Sequence, residues 1–186
     1  MTNFFVENWL QTSPDDDIVF REVGQGNIPH VSEAWIAAAF CPADKRTDEN
    51  REALIISDQL IAELKEADVI VVGTPMYNWS IPSALKAYID QVLRVNETVL
   101  LNKATPEDFY TGLLKDKKVY ILMVRGIRGY SMGDFNAHMN FQSKYLTTVF
   151  NIMGLTDIQE LAIEGADLGE KPIEEIAEEV RKLLSK

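Results

Sequence analysis

Two unbroken apolar runs constrain this chain more than anything else in it: Val69-Ile70-Val71-Val72 and Val119-Tyr120-Ile121-Leu122-Met123-Val124. A strand that is apolar on both faces is expected where both faces are covered, as in a parallel sheet between layers of helix. Gly73-Thr74-Pro75 closes the first run, and a loop with Gly126, Gly129 and Gly133 follows the second. Helical periodicity fills the spaces between such runs, so the pattern predicts βαβ units and a doubly wound α/β domain spanning residues 1–186.

The chain opens inside an amphipathic helix over residues 2–11, with Phe5, Val6 and Trp9 at helical spacing. Ser13-Pro14-Asp15-Asp16-Asp17 has turn chemistry, and Ile18 to Val23 reads as a strand. A short helix is expected from Ser32 to Phe40. Thr47 is a helix N-cap, with Asp48 and Glu49 placed favourably in the first turn of a helix that runs to about Ala67. Ser80 is expected to cap the next helix, with Pro82 in its first turn and Leu85, Tyr88, Ile89 and Val92 on its buried face. A polar stretch, Asn96 to Lys118, leads to the second apolar run. A helix from Phe135 to Met153 should stop at Gly154, followed by a strand over Ile158–Ile163 and a closing helix over Pro172–Leu184.

Composition removes several function classes. Lys and Arg total 18 against 29 Asp and Glu, a net charge of −11 with pI near 4.6. So acidic a surface repels phosphate backbones and anionic lipid, so neither nucleic acid nor a membrane is an expected partner. No apolar run is long enough to span a bilayer, and the first ten residues show no signal peptide. A single cysteine, Cys41, precludes an internal disulfide and points to a reducing, cytoplasmic setting. Two distant histidines, His30 and His138, make a zinc site improbable.

Ligands of open parallel sheets sit outside the carboxyl ends of the strands, which directs attention to the loops after Val72 and Val124. The first reads Pro75-Met76-Tyr77-Asn78-Trp79-Ser80-Ile81-Pro82 and continues Ser83-Ala84-Leu85-Lys86-Ala87-Tyr88-Ile89-Asp90. A proline-bounded turn that exposes backbone N–H groups and two aromatics beside a helix N-terminus suits a flat heterocycle with one polar edge. The plain alternative is a connecting loop whose aromatics cover the core.

The run from Gly73 to Val95 resembles the flavin-binding loop and following helix of the FMN-dependent NADH-azoreductases, flavodoxin-like proteins that also reduce quinones. Pro-Met-Tyr-Asn-aromatic and Ile-Pro-x-x-Leu-Lys-x-aromatic-Ile-Asp carry the match. Weaker similarity extends through Ser57–Leu64, Tyr145–Asp157 and Glu164-Gly165. The resemblance implies a flavodoxin-like sheet and a homodimer with FMN at each of two interface sites. It also implies ping-pong transfer of two electrons from NADH or NADPH, through FMN, to a quinone or azo acceptor. Met76, Tyr77, Asn78 and Trp79 would wrap the isoalloxazine. Arg125 and Gly126 match the family's Ser-Arg-Gly-Gly loop on the other side of the ring, whereas Val124 and Ile127 depart from it. No acid–base side chain is required by these motifs, and none is nominated as catalytic; no metal is expected.

The family begins with a buried strand and a serine-rich loop that holds the FMN phosphate. Phe4 to Trp9 resembles the middle of the helix after that loop, so the first strand and phosphate loop have no counterpart in this chain. A start assigned too late, a shortened chain or a diverged flavin-free relative would each account for this. An electron carrier using the same ring pocket without a nicotinamide is the other alternative. Thr98 to Asn102 and Ile152 replace positions that are often aromatic in the family; a substrate cavity lined by them would be aliphatic, and the plain alternative is that they only repack the core.

Overall fold

The computed structural model describes residues 1–26, 28–102, 109–169 and 173–184. Its elements follow in the order α1 (Thr2–Thr12), α2 (Glu33–Phe40), α3 (Asp48–Glu66), β1 (Val69–Pro75), α4 (Ser83–Val92), β2 (Val99–Leu101), β3 (Tyr110–Gly112), β4 (Lys118–Val124), α5 (Phe141–Met153), β5 (Asp157–Ile163) and α6 (Ile173–Leu184).

β1, β4 and β5 form one parallel sheet in the order β1-β4-β5, with Val69 opposite Lys118 and Lys118 opposite Asp157. Central β4 is buried on both sides, as its unbroken apolar run requires. Successive side chains of a strand point to opposite faces, and the packing follows that period. Val119, Ile121 and Met123 join the larger core with Leu60, Ile61 and Leu64 of α3, Leu85, Ile89 and Val92 of α4, and Leu146, Val149 and Phe150 of α5. Tyr120 and Leu122 meet Phe5 of α1 and Val180 and Leu183 of α6 on the opposite face. The Phe5 and Tyr120 rings lie 4.8 Å apart. A satellite cluster joins Trp35, Ala38 and Ala39 of α2 to Leu54 of α3.

The helix boundaries show which local signals were sufficient. The Thr47 hydroxyl accepts from the N–H of Asn50 while the Asn50 side chain accepts from the N–H of Thr47, a reciprocal cap. Ser32 accepts from the N–H of Trp35 to start α2. Gly154 ends α5 at φ 95°, a left-handed conformation that a Cβ disfavours.

Four boundaries differ from the sequence-based reading. Residues 18–23 are not a strand: a strand needs a neighbour for its N–H and C=O groups, and none pairs with it among the described residues, leaving Val19 and Phe20 exposed. Pro82 is the N-cap of α4 and the helix begins at Ser83, while the backbone of Ser80 closes a tight turn instead. α5 begins at Phe141 rather than Phe135, because Asn140 caps it by accepting from the N–H of Ser143. The polar stretch before β4 contains an antiparallel pair, β2 with β3. Its residues 103–108 lie outside the described residues, as does Pro172, expected to open the closing helix.

Candidate functional site: two loops at the carboxyl end of the sheet

The first loop leaves β1 at Pro75. The Met76 N–H donates to the Val124 carbonyl at 2.8 Å, which extends the β1–β4 ladder by one residue and fixes where the turn starts. Tyr77 and Ser80 then exchange both backbone bonds, Tyr77 N–H to Ser80 O at 2.9 Å and Ser80 N–H to Tyr77 O at 3.0 Å. Between them Asn78 has φ 45° and Trp79 φ 66°. A two-residue hairpin with positive φ at both central positions is a type I′ turn, normally built with Asn-Gly. Asn tolerates that region, whereas Trp there costs about 1–2 kcal/mol. The Asn78 and Trp79 N–H groups donate to nothing among the described residues. The Tyr77 and Trp79 side chains are 60% and 49% exposed, so they do not serve as ordinary core cover. Met76 is half-buried. The turn thus presents two unused donors flanked by two aromatic faces.

The second loop is built the other way round. Arg125 is buried to 2% exposure. Its Nη1 donates to Glu164 Oε1 at 2.7 Å, its Nη2 to the Ser143 hydroxyl at 2.6 Å, and its Nε to Gln142 Oε1 at 3.2 Å. Its guanidinium carbon lies 5.9 Å from the centre of the Tyr130 ring. Glu164, one residue beyond β5, uses its second oxygen to accept from the N–H of Gly129 at 2.7 Å and of Tyr130 at 3.3 Å. Burial pushes the Glu164 carboxyl up, but the bond from Arg125, the two backbone donors and the Arg125 charge together hold it below the usual carboxylate range. At Gly126 a Cβ would lie 2.1 Å from Asp167 Oδ2, so the missing side chain lets the segment after β5 pass close by. The Asp167 N–H donates to the Gly126 carbonyl at 3.1 Å.

The two loops meet at the start of α5. The Phe141 N–H donates to the Trp79 carbonyl at 3.1 Å, and Asn140 Nδ2 donates to the Tyr130 carbonyl at 3.1 Å. All six residues singled out from the sequence therefore lie at one end of the sheet: four form the exposed turn, and Arg125 and Gly126 form the base of the facing loop. Sequence reading did not single out Glu164, Ser143 or Asn140 for this role. Only Glu164 carried any signal, as part of the Glu164-Gly165 match. Thr98 is buried and its hydroxyl donates to the Val92 carbonyl at 2.6 Å, which ties it to the end of α4. Among the described residues no group of three or more His, Cys, Asp or Glu could hold a metal, and no helix is long and apolar enough to cross a membrane.

A parallel sheet with helices packed on both faces and two loops at one carboxyl edge defines an open α/β protein, the class in which ligands sit outside the carboxyl ends of the strands. The family model for the flavodoxin-like fold, Flavodoxin_2, matches residues 1–186, and the chain belongs to that family. It is 43% identical over 169 residues to FMN-dependent NADH:quinone oxidoreductase 1 of Trichormus variabilis, covering 91% of this chain and 77% of that protein. It is 39% identical over 171 residues to the FMN-dependent NADH:quinone oxidoreductase of Cellvibrio japonicus, covering 92% of this chain and 81% of that one. Among solved structures, an azoreductase from Bacillus anthracis superposes with a TM-score of 0.82 at 27% identity, over 97% of this chain and 86% of the other.

Proposed function

We propose that this chain is an FMN-dependent oxidoreductase that passes two electrons from NADH or NADPH to quinones or azo compounds. The observation that carries the reading is the turn at Asn78-Trp79, with two N–H donors that meet no partner among the described residues, between two exposed aromatics. A flat ring with acceptor atoms along one edge is the complement of that surface. The residues present fit the ring end of FMN: Met76 and Trp79 would pack on its apolar face, Tyr77 would border it, and the amides of Asn78 and Trp79 would meet its polar edge. Arg125 and Gly126 would shape the facing wall. Bound there, the flavin would supply the hydride and electron chemistry, and the chain would bind, orient and shield it. The names of the relatives, FMN-dependent NADH:quinone oxidoreductases and an azoreductase, support this assignment of cofactor, donor and acceptor.

The same reading includes a homodimer and a cytoplasmic location, with residues 1–186 as one domain. Exposed apolar residues lie at both loops, Tyr77 and Trp79 in the turn, Met132 and Phe135 after the second loop, and Phe141 bonded through its N–H to the Trp79 carbonyl. Exposed apolar residues at this end of an otherwise acidic chain suit a second copy, which would cover them and close the ring site. The test is the visible spectrum of the purified chain after FMN is added and unbound flavin removed. A retained flavin band bleached by NADH and restored by a small quinone is expected; a colourless protein would overturn the reading.

A further inference from the structure

One arrangement is not used by the proposed chemistry: a charged cluster behind the second loop that reaches the first. Glu164 accepts from Arg125 with one oxygen and from two consecutive backbone amides, Gly129 and Tyr130, with the other. The Tyr130 carbonyl in turn accepts from Asn140 Nδ2, and Asn140 both caps α5 and touches the Ser143 hydroxyl at 3.2 Å. Arg125 holds that same Ser143 hydroxyl. The next residue after Asn140, Phe141, donates its N–H to Trp79 in the first turn. Hydrogen bonds, joined by the peptide link from Asn140 to Phe141, thus run from the end of β5, through the second loop and the α5 N-terminus, to the Asn78-Trp79 turn.

We propose that Glu164 is a positioning residue: its carboxylate, anchored by Arg125, clamps the Gly129–Tyr130 backbone and thereby sets the distance between the two loops. Nothing else among the described residues takes up those two amides. A carboxylate that accepts from a guanidinium and two amides at once is shorter-ranged and more directional than a loop held by packing alone. The consequence for FMN rests on the reading under Proposed function; the clamp itself does not, and it is tested without flavin.

The experiment is amide hydrogen exchange by NMR on the full chain, parent against Glu164→Gln, with no flavin present. Gln sets its one acceptor against the Arg125 guanidinium and turns its NH2 donor toward the two backbone amides, so exchange at Gly129 and Tyr130 should rise about tenfold or more, the factor a charge-assisted bond carries. The Phe141 amide and Trp79 indole signals should shift with them, while the β4 amides Val119 to Met123 hold. If Glu164→Gln does not fold, the charge-balanced pair Arg125→Met with Glu164→Leu removes both ions and all acceptors and gives the same reading. Unchanged exchange at Gly129 and Tyr130 overturns the clamp. Faster exchange with unmoved Phe141 and Trp79 signals overturns the coupling between loops. FMN titration of both proteins then separates the two proposals. Weaker FMN binding in the variant is expected; equal binding would overturn a positioning role toward the flavin. If even the parent takes no FMN, the flavin reading fails while the exchange result still decides the clamp.

Discussion

The two loops at the carboxyl edge sit side by side yet use their backbone and side chains in opposite ways. In the Met76–Ser80 loop the ends are tied by backbone bonds, Tyr77, Asn78 and Trp79 are exposed, and two amides meet no partner among the described residues. In the Arg125–Tyr130 loop the leading side chain is buried, and the later amides are consumed by Glu164. The first arrangement leaves two donors open at the surface; the second uses its donors internally to hold the loop. A receptor surface needs both, because unsatisfied donors are useful only where the backbone carrying them cannot relax to satisfy them elsewhere.

The sharpest way to break this contrast is Asn78→Pro. Proline holds φ near −65°, against 45° here, and removes the N–H. The turn should open and FMN retention should fall below detection by absorbance after gel filtration. Retention equal to the parent would place the ring edge elsewhere.

Arg125→Met tests the other loop and should strike stability before binding. It leaves Glu164 without its cation and Gln142 Oε1 without its donor, and the Ser143 hydroxyl keeps only Asn140 Nδ2 as a donor among the described residues. Removing one partner of a buried pair costs about 3–5 kcal/mol, read as a lower urea midpoint. A loss under about 1 kcal/mol would mean that the loop is held by packing rather than by the ion pair.

The contrast between the loops also marks how far sequence alone reaches. The β1 and β4 runs were legible because a strand buried on both faces leaves a continuous apolar signature, and Thr47 and Gly154 because caps are local chemistry. The segment 18–23 reads as a strand by composition, but pairing depends on a distant neighbour that no local pattern reports. The turn at Asn78-Trp79 was legible as a loop and not as a type I′ turn, since Trp at positive φ contradicts its own propensity. Arg125 stood out by resemblance, whereas its role as an anchor depended on Glu164, 39 residues later. Contacts of that separation are set by the fold, and neither residue's neighbours in sequence announce them.

A pH series sharpens the same point with a smaller effect. Glu164 has a depressed pKa in the folded chain, so its contribution to stability is complete above the unfolded carboxylate value of about 4.3. It is lost as pH falls through the lower, folded value. The parent should therefore lose stability in this acid window more steeply than Arg125→Met, in which the main cause of the depression is gone. Parallel acid limbs in urea unfolding at successive pH values would show that other carboxylates, Glu97 among them, dominate.

The smallest expected effect separates strain from function within one residue. Asn78→Gly keeps the amide and suits φ 45° better than any L-residue, and the exposed Asn78 side chain makes no hydrogen bond among the described residues. Relief of the left-handed conformation should raise stability by up to about 1 kcal/mol, less whatever the added freedom of glycine in the unfolded chain takes back. FMN affinity should stay near the parent value, because the proposed contact is through the backbone. A stability gain with unchanged binding would show that Asn78 serves by its amide and its tolerance of positive φ. A marked loss of binding would show that its side chain touches the ring, and the contrast between a backbone receptor and a side-chain anchor would then have to be redrawn.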